Sequence, residues 1–450
     1  MKRRDIALKY FDENENFMQT IVADNIEKHR KGDMNIILTD KDGNALGGAK
    51  IKVTQKTHEF KYGANIFMLD EMENDEKNEE YKKSFKKIFN LATIPFYWSY
   101  LEPEKDKPRY AVDSPKIYRR PPTDLCVNFC FENGIEPKCH CLNYDNYIPD
   151  WLDGNDIDAH KAALEKRFAE LSERYADVIP SWEVTNETLE GVKYPYNAKP
   201  VPRSSFYFED DFVEWSFRLA DKYFPNNRLI INEYLIFNER DFNENRSMYY
   251  MQIERLIKNG ITHLDSIGMQ YHSFFSKEDE ERFACMRYDP AYLYRVLDRY
   301  AKLGKNIQMT EITIPAYSNS AEDEAVQAEL IEKIYTVFFS HPAMEAIIYW
   351  NLPDGYAAFA PQGDMTAGEN KYYAGLLRFD LSKKPAYHVI DEMFNKRYRT
   401  NTEICTDSLG RAALRGFYGD YELEITLNGK KYTRELTLSK NLTSDFDIVI

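Results

Sequence analysis

Eight short apolar runs, separated by segments of helical periodicity, constrain the fold of this 450-residue chain more than any other feature. The runs cover 62–67, 91–96, 137–143, 180–187, 229–234, 266–272, 307–312 and 346–352. Helical patterns occupy 73–89, 157–175, 209–223, 242–258, 291–303 and 322–339. Strands that are apolar on both faces belong to a sheet covered on both sides, as parallel sheets are. Eight β-α alternations therefore predict an α/β fold, a (β/α)8 TIM barrel, with its chemistry at the C-terminal ends of the strands.

Both chain ends read differently. Residues 11–32 form a polar helical pattern, and 34–39 and 49–54 flank a turn at 41–44 as a hairpin-like pair. At the far end, 417–426, Asn428-Gly429, 432–438 and 446–450 alternate with period 2 around a hairpin turn. Isolated hairpins are marginal. The two ends are therefore expected to join into one small β-sandwich-like accessory domain; a separate fold at each end is the rival. The expected units are residues 1–59 (N-terminal helix and strands), 60–399 (catalytic barrel) and 400–450 (strands completing the accessory domain). Structural bracing is the expected role of that domain.

The charge balance, 74 acidic against 59 basic residues and a net −15, argues against nucleic acid and anionic membranes as partners. No stretch approaches the roughly 18 apolar residues of a spanning helix. The start, Met1-Lys2-Arg3-Arg4-Asp5, lacks an apolar leader core, so the expected location is cytoplasmic, or extracellular if a leader has been removed. Six cysteines show no disulfide spacing. Cys139-His140-Cys141 lacks a second ligand pair for zinc, and reads as a strand with alternating faces. The oligomeric state is open.

The polar residues that close the runs carry the chemistry. The fourth run ends Trp182-Glu183-Val184-Thr185-Asn186-Glu187, and the seventh ends Thr310-Glu311-Ile312. Two carboxylates facing one barrel mouth suit glycoside hydrolysis, in which one protonates the leaving oxygen and the other attacks or activates water. Ion pairing at helix starts is the bland alternative. Asn186 can bond a sugar hydroxyl or cap the next helix. Gln270 and His272 share a strand face at the sixth run, and His272 can donate to the strand-seven carboxylate. His140 closes the third run, and Trp350 in the eighth offers a flat apolar platform.

Together these stretches resemble glycoside hydrolase family 10, the endo-β-1,4-xylanase family, from about His58 to Tyr387. Trp182–Glu187 is similar to its W-D-V-V-N-E, and Thr310-Glu311-Ile312 to its T-E-L. Residues 267–272 resemble G-I-G-x-Q-x-H, 231–234 I-N-D-Y, 384–387 K-P-A-Y, and 140–145 H-T-L-V-W-H. The resemblance implies a retaining β-glycosidase acting on xylose-containing oligo- or polysaccharide, with no cofactor and no metal. Glu187 would be acid/base and Glu311 nucleophile, about 5–5.5 Å apart. Glu187 would carry a proton near neutral pH, while Glu311 stays ionised. Asn186 would contact the 2-hydroxyl. His140 and Trp350 would line the sugar, and Gln270 and His272 would position Glu311.

The departures matter as much. The family's second strand ends E-N-x-M-K-W, but this chain has Thr93-Ile94-Pro95-Phe96-Tyr97-Trp98. Tyr144 replaces the tryptophan of H-T-L-V-W, Tyr147 replaces a downstream glutamine, and the family's second loop tryptophan falls on Ala358 beside Phe359. The second-sugar subsite is thus expected to have changed from polar to aromatic around Tyr97 and Tyr144, with altered specificity. A catalytically silent carbohydrate-binding barrel, and a metal-dependent hydrolase using His140, Asp145 and His272, are the rivals.

Overall fold

The computed structural model describes residues 2–189, 204–234, 236–237 and 247–450. Eight parallel strands close a barrel: β3 (Lys61–Asn65), β4 (Leu91–Pro95), β5 (Glu136–His140), β6 (Ser181–Asn186), β7 (Arg228–Glu233), β8 (Ser266–His272), β9 (Asn306–Thr313) and β10 (Met344–Tyr349). Each pairs with the next in chain order, and β10 returns to β3. Their residues are almost all buried, because side chains on one face fill the barrel and those on the other meet the helices.

The helices between strands match the sequence periodicity closely. They include Asp75–Ile88, Ile157–Tyr175, Phe212–Tyr223, Met248–Lys258, Pro290–Ala301 and Ala321–Ser340. Local chemistry sets their starts: Asn74, Asp156, Asp289 and Ser320 each accept a main-chain N–H of the first turn. The predicted helix at 242–258 is described only from Met248, since 242–246 lie outside the described residues.

Two bulges aim the strand ends. Between β8 and β9, Met269 pairs with Met309 but Gln270 pairs with Glu311, so Thr310 is an extra residue. Between β6 and β7 the register slips from Glu183 to Thr185. A bulge lets neighbours that strict alternation would send to opposite faces point the same way. Thr310 and Glu311 both reach Asn232 on β7, and Glu183 and Asn186 both face the barrel interior.

The chain ends form two further sheets around one core that includes Met34, Ile36, Leu38, Ile51, Val53, Tyr421, Leu423 and Ile425. One sheet has β1 (Lys31–Thr39) between β12 (Arg411–Phe417) and β15 (Asp445–Val449). The other runs β11 (Asn401–Cys405), β2 (Lys50–Gln55), β13 (Gly419–Leu427), β14 (Lys430–Leu438). This corrects the N-terminal hairpin expectation: β1 and β2 sit in different sheets, each paired with strands from the far end. Their alternating patterns specify one buried face each, not each other. The β13–β14 turn keeps the hairpin, with Asn428 and Gly429 both at positive φ (49° and 78°), as a two-residue turn requires. Arg30, at the end of the N-terminal helical segment, donates to the main chain of His341 and Met344 at the base of the barrel, opposite the C-terminal ends of the strands.

Candidate active site

All nine residues singled out from the sequence line one cavity of about 350 Å³ at the C-terminal end of the barrel: Tyr97, His140, Tyr144, Asn186, Glu187, Gln270, His272, Glu311 and Trp350. A larger open groove on the outer surface, around Lys77, Lys83 and Asn133, holds none of them.

Glu187 follows β6 at a φ of 52°, a left-handed conformation uncommon for a side chain this large. Such strain persists only where the surroundings enforce it. Here the Glu187 N–H donates to Asn232 O (3.1 Å), Tyr144 donates to Glu187 Oε2 (2.5 Å) and Gln270 Nε2 to Oε1 (3.2 Å). Glu311 is 4% exposed. It accepts from Asn232 Nδ2 (3.0 Å) on Oε1 and meets His272 Nε2 (3.1 Å) at Oε2. His272 Nδ1 pairs with Thr313 Oγ1 (2.8 Å), which holds the ring with Nε2 towards the Glu311 carboxyl.

A chain of amides ties the two carboxylates together. Thr310 donates to Asn232 Oδ1 (2.5 Å), and Asn232 Nδ2 also reaches Asn186 Oδ1 (2.8 Å). Gln270 Nε2 shares that same oxygen (3.2 Å). Asn186 therefore spends its carbonyl on the network, and its NH₂ is the end left for a ligand.

Beneath them lies a buried charged group. Glu183 meets Lys138 and accepts from His140 Nδ1 (2.5 Å), while His140 Nε2 meets the Tyr97 hydroxyl (3.0 Å). Burial alone would raise the Glu183 carboxyl, but Lys138 and His140 hold it below the usual carboxylate range. Burial, reinforced by the Glu183 and Glu187 charges, pushes Glu311 up to about 8 against the pull of His140 and the Asn232 hydrogen bond. Burial also lowers His272 to about 4, so it meets Glu311 as a neutral imidazole. The expectation that Glu311 stays ionised at neutral pH is thus corrected for the free protein: three carboxylates share one water-poor region, and a neutral histidine does not offset them.

The wall beside the pair is aromatic and cationic. Tyr97 packs on Tyr147 (4.2 Å between ring centroids), and Phe67 lies edge-on to Trp350 (5.3 Å). Trp98, the one residue kept from the family's strand-two motif, turns away: its Nε1 donates to Glu102 (2.9 Å) and it is not among the lining residues. Sequence reading missed Asn232, Thr310, Glu183 and Lys138 as parts of this network. It also missed Arg119, Arg120 and Glu369, which line the cavity. The first four stand on strands beside named residues and were open to the same reasoning. The last three come from long loops, whose paths no periodicity marks.

A barrel with paired carboxylates, amide-bridged at the ends of its fourth and seventh strands, defines a glycoside hydrolase of the TIM-barrel class. The profile of Glycosyl hydrolase family 10 matches residues 54–393, and the chain belongs to that family. Endo-1,4-beta-xylanase B of Thermotoga neapolitana is 24% identical over 351 residues, 76% of this chain and 89% of the relative. Anti-sigma-I factor RsgI6 of Acetivibrio thermocellus is 23% identical over 424 residues, 92% of this chain but only 48% of that protein. Among solved structures, native xylanase 10B from Thermotoga maritima superposes with a TM-score of 0.57 at 25% identity, covering 75% of this chain and 96% of its own.

Proposed function

We propose that the protein is a retaining β-glycosidase of the xylanase kind, with Glu187 as acid/base and Glu311 as nucleophile. The carrying observation is the hydrogen-bond chain Glu311–Asn232–Asn186–Gln270–Glu187 around one cavity. Glu187 delivers a proton to the glycosidic oxygen as the bond to C1 breaks, and Glu311 attacks C1 to form a glycosyl ester. Glu187, now a base, takes a proton from water, whose oxygen displaces Glu311 with net retention. Glu311 must be ionised to attack, so in the reactive form the one proton that the pair holds sits on Glu187, from which it is delivered, and the positive charge developing on the sugar favours that arrangement. The Asn186 NH₂ is placed to bond a sugar hydroxyl, and Trp350 to offer a stacking face.

The family's strand-two Glu, Asn and Lys fall on Thr93, Ile94 and Tyr97, its downstream glutamine on Tyr147 and its tryptophan on Tyr144. Unbranched xylan is therefore a poorer substrate than a short, decorated or aryl-substituted β-xyloside, because hydroxyls lose their hydrogen-bond partners there. A 2-deoxy-2-fluoro-β-xylosyl fluoride should add one sugar mass to the peptide holding Glu311, and NMR should show β product first. Label on another residue, or an inverted first product, removes the role assignment. Vigorous internal cleavage of linear xylohexaose, exceeding turnover of aryl β-xylosides, removes the specificity claim.

A further inference from the structure

The loop between β4 and the helix Thr123–Glu132 brings two consecutive arginines to the cavity wall. Arg119 is 4% and Arg120 8% exposed. Arg120 lies over the Tyr97 ring (4.1 Å to the centroid) and the Tyr100 ring (4.8 Å). Arg119 holds a φ of 62°, strained for a long side chain.

Each guanidinium is half used. Nη1 of Arg119 donates to Tyr356 O, and Nη1 of Arg120 to Arg119 O (2.8 Å). The Nε of both is buried without a hydrogen-bond partner. No described group accepts from either Nη2. Neither arginine forms an ion pair with a described carboxylate; the nearest acidic influence, Glu369, accepts instead from Asn351 (3.1 Å). A buried cation left unpaired costs several kcal/mol. Two side by side cost more, because they repel. Bracing of the loop explains the two Nη1 bonds, but not two adjacent buried guanidinium groups with unspent donors in a cavity wall.

We propose that Arg119 and Arg120 form a subsite for a carboxylate-bearing sugar, a uronic acid linked on the glycone side of the scissile bond. The inference rests on the carbohydrate reading of the pocket given above. A carboxylate is planar and matches the planar fork of donors that a guanidinium presents. The aromatic walls exclude water and strengthen the pairing. A neutral sugar could use the donors but would leave both charges uncompensated.

The test compares two aryl β-xylosides with the wild-type protein: one carrying a glucuronosyl group on its non-reducing side, and its carboxyl-reduced glucosyl counterpart. The expected ratio of kcat/KM is about 100 in favour of the acid, which is what a hydrogen bond to a charged group supplies. Because this comparison needs no mutation, a folding defect cannot confuse it. Arg120→Gln should then bring the ratio to within a few-fold of one, and Arg120→Lys should restore part of it. Calorimetric titration with the free glucuronosyl-xylose disaccharide gives a second readout that does not depend on turnover. Binding of that acid but not of its reduced form, with no hydrolysis of any glycoside, would uphold the subsite while removing the hydrolase reading. Hydrolysis with no preference for the acid would leave the hydrolase and overturn the subsite. So would absence of binding, a preference that survives in folded Arg120→Gln, or stronger preference for a sulfated or phosphorylated sugar than for the uronate.

Discussion

Glu311→Gln should make the protein more stable at neutral pH, with a gain that depends on pH in a way packing cannot mimic. The carboxyl is held at about 8 in the fold against an ordinary 4.5. An acid whose folded-state value is raised stabilises the fold fully below its unfolded value and loses that contribution as pH rises towards the folded one. Between pH 5 and pH 7 this one group therefore costs the wild-type protein about 2–3 kcal/mol. Glutamine has nearly the same shape and no charge to lose. For a cooperative unit of this size, that corresponds to about 3 °C in Tm. The assay is thermal and urea unfolding of both proteins from pH 5 to pH 8. The Glu311→Gln Tm should climb relative to wild type by about that amount from pH 5 to pH 7. A constant offset would mean that a rearranged hydrogen bond to His272 or Asn232 explains the variant. A relative Tm that falls as pH rises would show that the fold does not hold the Glu311 proton, and the buried-carboxylate argument fails.

Other perturbations separate chemistry from support. Glu187→Ala should lose about 10²–10⁴ in kcat on substrates with poor leaving groups and far less on activated aryl glycosides, as removal of a general acid does; equal losses on both, in steady-state rates, would refute the role. Tyr144→Phe removes the 2.5 Å bond to Glu187 and should cost about 10–100-fold in kcat/KM, as loss of a hydrogen bond to a charged group does, with unchanged Tm. Arg3→Ala should destabilise by about 3–5 kcal/mol, because Arg3 forms a two-pronged pair with buried Glu280 (2.9 Å at both prongs) that ties the N-terminal helix to the barrel; urea denaturation measures it, and a change below about 1 kcal/mol would show that the pair contributes little.

The barrel was legible in the sequence because a strand buried on both faces must read as a continuous apolar run. Ser266–His272 and Ile157–Tyr175 were delimited to the residue. The accessory sheets were legible only as texture. Alternation in 34–39 and 49–54 says that each strand has one buried face, but not which strand lies beside it. The partners came from more than 340 residues away, and β11 and β12 escaped notice altogether. Glu187, Glu311 and their nearest supports were found because polar residues closing apolar runs are costly anywhere except at a working mouth. The protonation of Glu311 was misjudged for a related reason. Burial is the main cause and the Glu183 charge adds to it; Glu183 stands on β6, and only the bulge at 183–185 turns both Glu183 and Asn186 inward, which no pattern of residue types marks.

That division between strands and loops explains how one site keeps its reaction centre while its neighbourhood changes. Asn186, Asn232, Gln270 and Glu311 stand on adjacent strands whose register fixes the amide chain, so altering one disturbs the ladder on both sides. Tyr144, Tyr147, Arg119, Arg120 and Phe359 come from loops that answer only to their own contacts. Arg120 is held by a ring face and one carbonyl, Arg119 by one carbonyl and its own backbone strain. Such a wall can exchange polar residues for aromatic and cationic ones without moving a strand. On the reading proposed above, the carboxylates set which bond is cut, and the loop after β4 sets which sugar is presented to them.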